Sequence, residues 1–371
     1  LRIVNVETFP LMYPLQQPYG DANGYKTFRS SFLFKITTHS GITGWGECVD
    51  WLPTLTRGFE DKIIPYLIGK QATNRFQLVQ QIKKWHQRSA AGVSLALTEI
   101  VAKFSGVSIT DLWGGSWRSS LPVYASMQSY TDQFEWIGHS IKHIERELHS
   151  GFTQIKVKVG GRTFKEDLMH IQQIQGLFKE GCNLIVDANE SYDFATAREW
   201  ERSFSNWNNL LWFEEPIPMN LAADYKLLRS CLTVPIAGGE NLKSAADFLQ
   251  LIQNRAIDMI QPDVMHEDGI DGYRHTLQLS RYCGLRVSPH TFDGALARLY
   301  ALFAHACLPP WSKMKDQNIE PVEWDVMENP FTTITQIEPI DGQVSIPTGV
   351  GIGVEIDEKI IKRYLWDGLI N

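Results

Sequence analysis

Cysteine is scarce and never paired along the chain: Cys48, Cys182, Cys231, Cys283 and Cys307 are odd in number, widely scattered and form no CxxC. That leaves no disulfide framework and suggests a reducing compartment. Basic charge is not in excess either. A net charge of −7 gives no support to nucleic-acid or membrane-surface binding, both of which favour basic patches. No apolar run approaches the length of a membrane span, and the opening LRIVNVETFP lacks a charged segment followed by an apolar one. The expected location is the cytoplasm, with neither nucleic acid nor membrane as a partner.

What is present is a repeat. Asp187 ends the apolar run of NLIVDAN, Glu214 that of LLWFEEP and Glu240 that of VPIAGGE. Upstream lies FTQIKVKVG with Lys156 and Lys158; downstream lie IDMIQPD ending at Asp263, LRVSPH ending at His290, and PVEWD containing Glu323. These polar endpoints recur every 23 to 33 residues, about one strand, one helix and two loops. The chain of 371 residues, 43% apolar, has room for one large barrel and a smaller domain.

Residues 1–118 lack the repeat and read as an α+β domain. RIVNVETFP and SSFLFKITTHSGITGWGEC look like strands, the latter a hairpin turning at His39-Ser40-Gly41. Helical stretches are expected near 55–68, 73–87 and 90–105, the last with an apolar stripe of Val93, Leu97, Ile100, Val101 and Phe104. The β-α alternation occupies 119–330, with eight strands and helices near 131–150, 164–180, 194–206, 220–230, 244–254, 269–283 and 294–307. A closed β/α barrel is the expected architecture. Residues 331–371 read as short strands and turns expected to return to the N-terminal domain.

In such a barrel the residues at the C-terminal strand ends face the reaction. Alternation places Lys156 and Lys158 on one face, pointing into the mouth, with Ile155, Val157 and Val159 toward the helices. Asp187 and Asn189 share the inward face of the next strand. Of the adjacent pair, Glu214 is expected inward and Glu215 toward the helices. Each acid alone is more often a cap or a solvated loop residue. Three converging carboxylates would repel unless a cation neutralises them or some bind protons. With no Cys or His in the trio, Mg²⁺ is favoured and Mn²⁺ is the alternative. Asp263 and His290 end adjacent strands, so the carboxylate can fix the imidazole tautomer and raise its basicity. Tyr13, Tyr19, Tyr25, Lys26, Arg29, Asp50 and Trp51, in capping loops expected near 13–29 and 47–52, are candidates to select the substrate. With Asn189, the expected substrate contacts are Tyr19, Tyr25 and Trp51.

The ordered set KVK, VDAN, FEEP, GGE, QPD, SPH and VEWDVMENP, with GITGWGE near the start and IPTGVGIGVEID near the end, resembles the enolase superfamily, specifically its mandelate racemase subgroup. The resemblance implies an α/β fold, a modified TIM barrel (β/α)7β with an α+β capping domain built from both termini. It implies one Mg²⁺ held by Asp187, Glu214 and Glu240, and α-proton removal from a carboxylate substrate to give a metal-stabilised enediolate. Lys158 would be the base on one face, with Lys156 lowering its pKa and contacting the substrate carboxylate. His290, held by Asp263, would serve the opposite face. Glu323 would act as a protonated acid toward the enediolate. Dehydration of an acid sugar to a 2-keto-3-deoxy acid is the favoured outcome, racemisation or epimerisation the alternative, and a non-catalytic scaffold a distant third. His266, Glu267 and Asp268 depart from the small residues usual after QPD; they would either be simply solvated or favour a hydroxylated substrate over an aromatic one. A homo-oligomer is expected by analogy. The chain lacks the features of other barrel chemistries: no His pair follows strand one, which reads YASMQSY, and no glycine-rich phosphate loops follow strands seven and eight.

Overall fold

The computed structural model describes residues 1–205, 207–315 and 319–369. The chain opens with an antiparallel ribbon of β1 (Ile3–Asp21), β2 (Gly24–Thr38) and β3 (Thr43–Cys48). The β2–β3 hairpin turns where His39-Ser40-Gly41 predicts it, with Gly41 at φ 78°. The segment around 13–29, expected as loop, is instead the far end of the β1–β2 ribbon. Its polar backbone is satisfied because Tyr19 and Gly20 pair with Thr131 and Tyr130 of the barrel portion.

Helices Leu52–Gly58 and Ile64–Leu67 run on either side of a wide turn, followed by helices Arg75–Lys83 and Gln87–Ser105. In the last of these Val93, Leu97 and Ile100 are buried as expected, but Phe104 is 64% exposed. This helix lies between two cores, Leu97 facing the ribbon and Leu95 facing the barrel, so a single stripe does not describe its burial.

The barrel is built from β4 (Ser120–Ser126), β6 (Gln154–Lys158), β7 (Asn183–Asp187), β8 (Leu210–Glu214), β9 (Ile236–Gly238), β10 (Met259–Ile260), β11 (Arg286–Val287) and β12 (Val322–Asp325), with the two-residue β5 (Tyr130–Thr131) lying apart against β1. The strands are parallel in the order β11-β10-β9-β8-β7-β6-β4-β12. Helices follow the first seven, whereas β12 is followed first by a short 3-10 turn, Pro330–Thr333, and only near the end of the chain by the helix Glu358–Arg363. Local signals start several of these helices, such as the capping box of Thr163 and Glu166 and the caps Asp193 and Ser244.

Among the described residues no ladder joins β11 to β12. Side chains stitch that seam: Ser288 Oγ donates to the Pro321 carbonyl at 2.7 Å and the Val287 N–H to Glu320 Oε1 at 2.8 Å. Tyr124, Ile185, Trp212, Ala237 and Met259 fill the barrel interior beneath the mouth. The final segment pairs β13 (Gln343–Ser345) with the start of β4, then lays Tyr364 and Trp366 beside Met12 and Pro10 of β1.

Candidate active site

The parallel strands bring their polar C-terminal ends to one mouth. Lys156 is wholly buried, its Nζ 2.6 Å from Glu214 Oε1, 2.8 Å from Glu323 Oε1 and 3.2 Å from Asp187 Oδ2. Lys158 Nζ lies 2.5 Å from Asp187 Oδ2. Glu214 also accepts from Trp212 Nε1 and Gln261 Nε2. Asp187, Glu214 and Glu240 each place an oxygen within 4.8 Å of the others.

Across the mouth His290 Nδ1 meets Asp263 Oδ2 at 2.6 Å, and the other oxygen of Asp263 is held by the Met265 N–H. Donation from Nδ1 leaves Nε2 free to accept or give a proton. That nitrogen lies 3.1 Å from Glu240 Oε2 and 3.5 Å from Glu323 Oε2.

Burial disfavours charge on the basic groups, but the surrounding acids outweigh it. Asp187 raises Lys158 above the ordinary lysine value despite burial and the repulsion of Lys156. Lys156 opposes charge on Lys158, the sign expected from the sequence, while Asp187 favours it. Glu240, Glu323 and Asp263 likewise raise His290 against its burial. Glu214 is pushed up to about 7 by burial and the Asp187 charge. Against its own burial, Glu323 is held down at about 2 by His290 and Lys156. These neighbouring cations favour its carboxylate form, whereas the resemblance implies a protonated acid.

A cavity of about 300 Å³ opens on this mouth. Lys158, Glu240, Asp263, His290 and Asn189 line it, and Asn189 adopts φ 43° with its N–H on Asp187 Oδ1. Tyr25 lines it from the ribbon and is tied to the barrel through Thr131 and Arg162. Tyr19 and Trp51 do not line it. Tyr19 is buried beside Arg29 with its hydroxyl on the Glu328 carbonyl, and Trp51 precedes a capping helix half exposed. Nor does Lys156 line it, because three carboxylates enclose its ammonium. Glu215 is buried, not solvated: it turns away from the trio and accepts the N–H groups of Gly239 and Glu240. Gln128, Arg88 and Asn241 line the cavity without having been singled out, as does His266, one of the residues after QPD that the sequence marked as unusual. Of these only His266, beside QPD, carried a local signal.

Two family descriptions match the chain: "Mandelate racemase / muconate lactonizing enzyme, N-terminal domain" over residues 4–114 and "Enolase C-terminal domain-like" over residues 140–360. D-galactarolactone cycloisomerase of Agrobacterium fabrum is 27% identical over 378 aligned positions, covering 98% of this chain and 99% of that protein. Arabinonate dehydratase of Saccharolobus solfataricus is 27% identical over 350 positions, 89% of each. The fold is shared with the crystal structure of a racemase from Streptomyces coelicolor A3(2) with bound magnesium, at a TM-score of 0.85 and 22% identity, covering 98% of this chain and 100% of that one. The chain is therefore an enzyme of the enolase superfamily and belongs to its mandelate racemase/muconate lactonizing enzyme branch.

Proposed function

We propose that this enzyme removes the α-proton of a hydroxylated carboxylate and completes the reaction by dehydration. The observation that carries the reading is that Lys158 of β6 and His290 beyond β11 both reach one polar cavity, with Glu240 of the acidic trio in its wall. In that cavity only Val49, Met265, Phe292 and the Tyr25 ring bring sizeable apolar surface, which suits a polyhydroxylated acid.

Asp187, Glu214 and Glu240 fit a divalent cation. In the mouth five carboxylates, those of the trio with Glu323 and Asp263, face two ammonium groups and one imidazole, and all-oxygen donors of this kind favour Mg²⁺, with Mn²⁺ the alternative. When bound, that ion would supply positive charge for the substrate carboxylate. Lys158 Nζ, as the free amine, takes the α-proton on one face, and the bond's electron pair moves toward the carboxylate to give an enediolate. Lys156, enclosed by acids, holds Asp187, Glu214 and Glu323 in place and disfavours charge on Lys158. His290, steadied by Asp263, gives its Nε2 proton to a β-hydroxyl as that carbon–oxygen bond breaks, and water leaves. The enol that remains becomes a 2-keto-3-deoxy acid.

Returning a proton from His290 to the α-carbon would instead give the epimer. The Agrobacterium relative, named as a lactone cycloisomerase, adds a third outcome, ring opening or closure, absent from the sequence reading. Incubation with Mg²⁺ in D₂O against mono- and diacid sugars, their lactones and simple α-hydroxyacids separates these. Keto acid with α-deuterium exchange supports dehydration, and deuterated epimer alone identifies a racemase or epimerase. Ring opening or closure alone identifies a cycloisomerase, while no exchange with any compound overturns the proton-abstraction reading.

A further inference from the structure

At the C-terminal ends of three neighbouring strands, β4, β6 and β7, lie Gln128, Lys158 and Asn189, all in the cavity wall. Gln128 lies two residues beyond β4 and is 5% exposed; Asn189 lies two beyond β7 and is 9% exposed. Gln128 Oε1 and Asn189 Oδ1 are both buried without a hydrogen-bond partner among the described residues. Buried amide oxygens without donors are costly, and native proteins keep few of them. Both belong to residues facing one cavity, on either side of the lysine.

The backbone holds this pair in register. The Met127 N–H donates to the Lys156 carbonyl at 3.1 Å, and the Lys158 N–H donates to Ser129 Oγ at 2.7 Å, so Gln128 is fixed between two ties to β6. The Gln128 N–H meets Met327 Sδ. Asn189 is fixed by its N–H on Asp187 Oδ1.

Resting on the proposed chemistry, we infer that Gln128 is a specificity-determining residue which, with Asn189, accepts hydrogen bonds from substrate hydroxyls on the face of the molecule that Lys158 attacks. The ligand class is a linear or cyclic sugar acid bearing hydroxyl donors near its α-carbon. A reversed amide would present a donor instead, and a hydroxyl satisfies either end. An apolar diene acid satisfies neither and would leave both groups stranded. Sites built to bind a hydroxyl reject the analogue lacking it far more strongly than apolar pockets reject a methylene.

The test is equilibrium binding, by calorimetry, of five- and six-carbon aldonates and aldarates and their deoxy analogues to the Mg²⁺-loaded enzyme, run beside α-deuterium exchange. Gln128→Met keeps the side-chain volume and removes both polar atoms. It should weaken binding of the best hydroxylated acid by about 10- to 100-fold while leaving one deoxy analogue almost unaffected, which identifies the hydroxyl read. Gln128→Asn, shorter by one methylene, should fall between. The unfolding midpoint of each variant reports whether the fold persists; should Gln128→Met fail to fold, Gln128→Asn decides the matter. Equal losses for the hydroxylated acid and every deoxy analogue, or no loss, overturn the inference even where exchange proceeds. Binding that depends on Gln128 without exchange upholds it and sinks the proposed chemistry instead. Failure of every hydroxylated acid to bind overturns it too.

Discussion

The two flanks of the mouth are built differently. On the lysine flank the charged groups are held by the barrel: Lys156 and Lys158 of β6 meet Asp187 of β7, Glu214 of β8 and Glu323 of β12. On the histidine flank the barrel supplies Asp263, Glu240 and Glu323 around His290 and Glu323 beneath Thr291, but the residues that follow are held from the N-terminal ribbon. Lys26 and Arg29 both reach Asp293, Arg29 also reaches Asp325, and Glu47 accepts the N–H groups of Leu296 and Ala297 at the start of the helix Ala295–Ala306. A carboxylate there satisfies otherwise unpaired donors and meets the positive end of the helix dipole. The lysine flank should therefore behave as a property of the barrel, and the histidine flank as a property of the contact between the two parts of the chain.

The largest effects should come from removing either acid/base group. Lys158→Ala and His290→Asn should each lower turnover by about 10²–10⁴-fold. The comparison is sharpened by what survives. If Lys158 removes the α-proton, His290→Asn should retain α-deuterium exchange, followed by NMR, while product formation stops, and Lys158→Ala should lose both. Exchange lost in His290→Asn and kept in Lys158→Ala would reverse the assignment of the two faces.

Next in size is Arg29→Met. It removes the cation paired with the fully buried Asp325, which keeps only Asn329 and the Met327 N–H, and leaves Asp293 with Lys26 alone. Leaving such a buried charge unpaired costs about 3–5 kcal/mol, readable as a lower urea midpoint. At a temperature where the variant stays folded, product formation should fall more than exchange, because the loop after His290 is released while β6 and β7 are untouched. Equal losses in the two readouts would mean that the flanks are not separable.

Much of the lysine flank was legible from spacing alone, and the reason is local. Two-residue alternation decides where Lys156, Lys158 and Asp187 point, and strand ends in a barrel converge whatever lies between them. The choice of Glu214 over Glu215 needed the proline that follows to mark the loop, and the pairing of Asp263 with His290 followed from their ending adjacent strands. What alternation cannot reach is contact between distant segments. Nothing near Arg29 announces Asp293 or Asp325, and nothing near Glu47 announces the helix that it caps. Tyr19 and Trp51 looked like substrate contacts because the capping segments were read as loops. Tyr19 is instead spoken for by Arg29 and the Glu328 carbonyl in a long ribbon. Gln128 gave no signal, since an amide after a strand is ordinary until its burial and lack of a donor are known.

The smallest predicted effect tests the histidine flank by pH. Glu267, in the turn between Asp263 and the helix Gly269–Tyr282, is fully buried where that flank meets the N-terminal part. Gln87 donates to its carbonyl, and Lys83 pairs with Asp268 beside it. Burial pushes its carboxyl up to about 8, with Asp268 and Asp247 adding to that and Thr276 opposing it. Between the ordinary value of 4.5 and about 8 the folded chain holds a proton that the unfolded chain has released. Stability contributed by the neutral form is thus complete below that window and is lost as pH rises through it. Glu267→Gln removes the titration, so the variant should gain on the natural chain by roughly 2–4 kcal/mol between pH 5 and pH 8.5 in urea unfolding. A gap between the two chains that does not widen with pH would show that Glu267 is already ionised and paired in the folded protein, and the seam on the histidine flank would then be as well neutralised as the lysine flank.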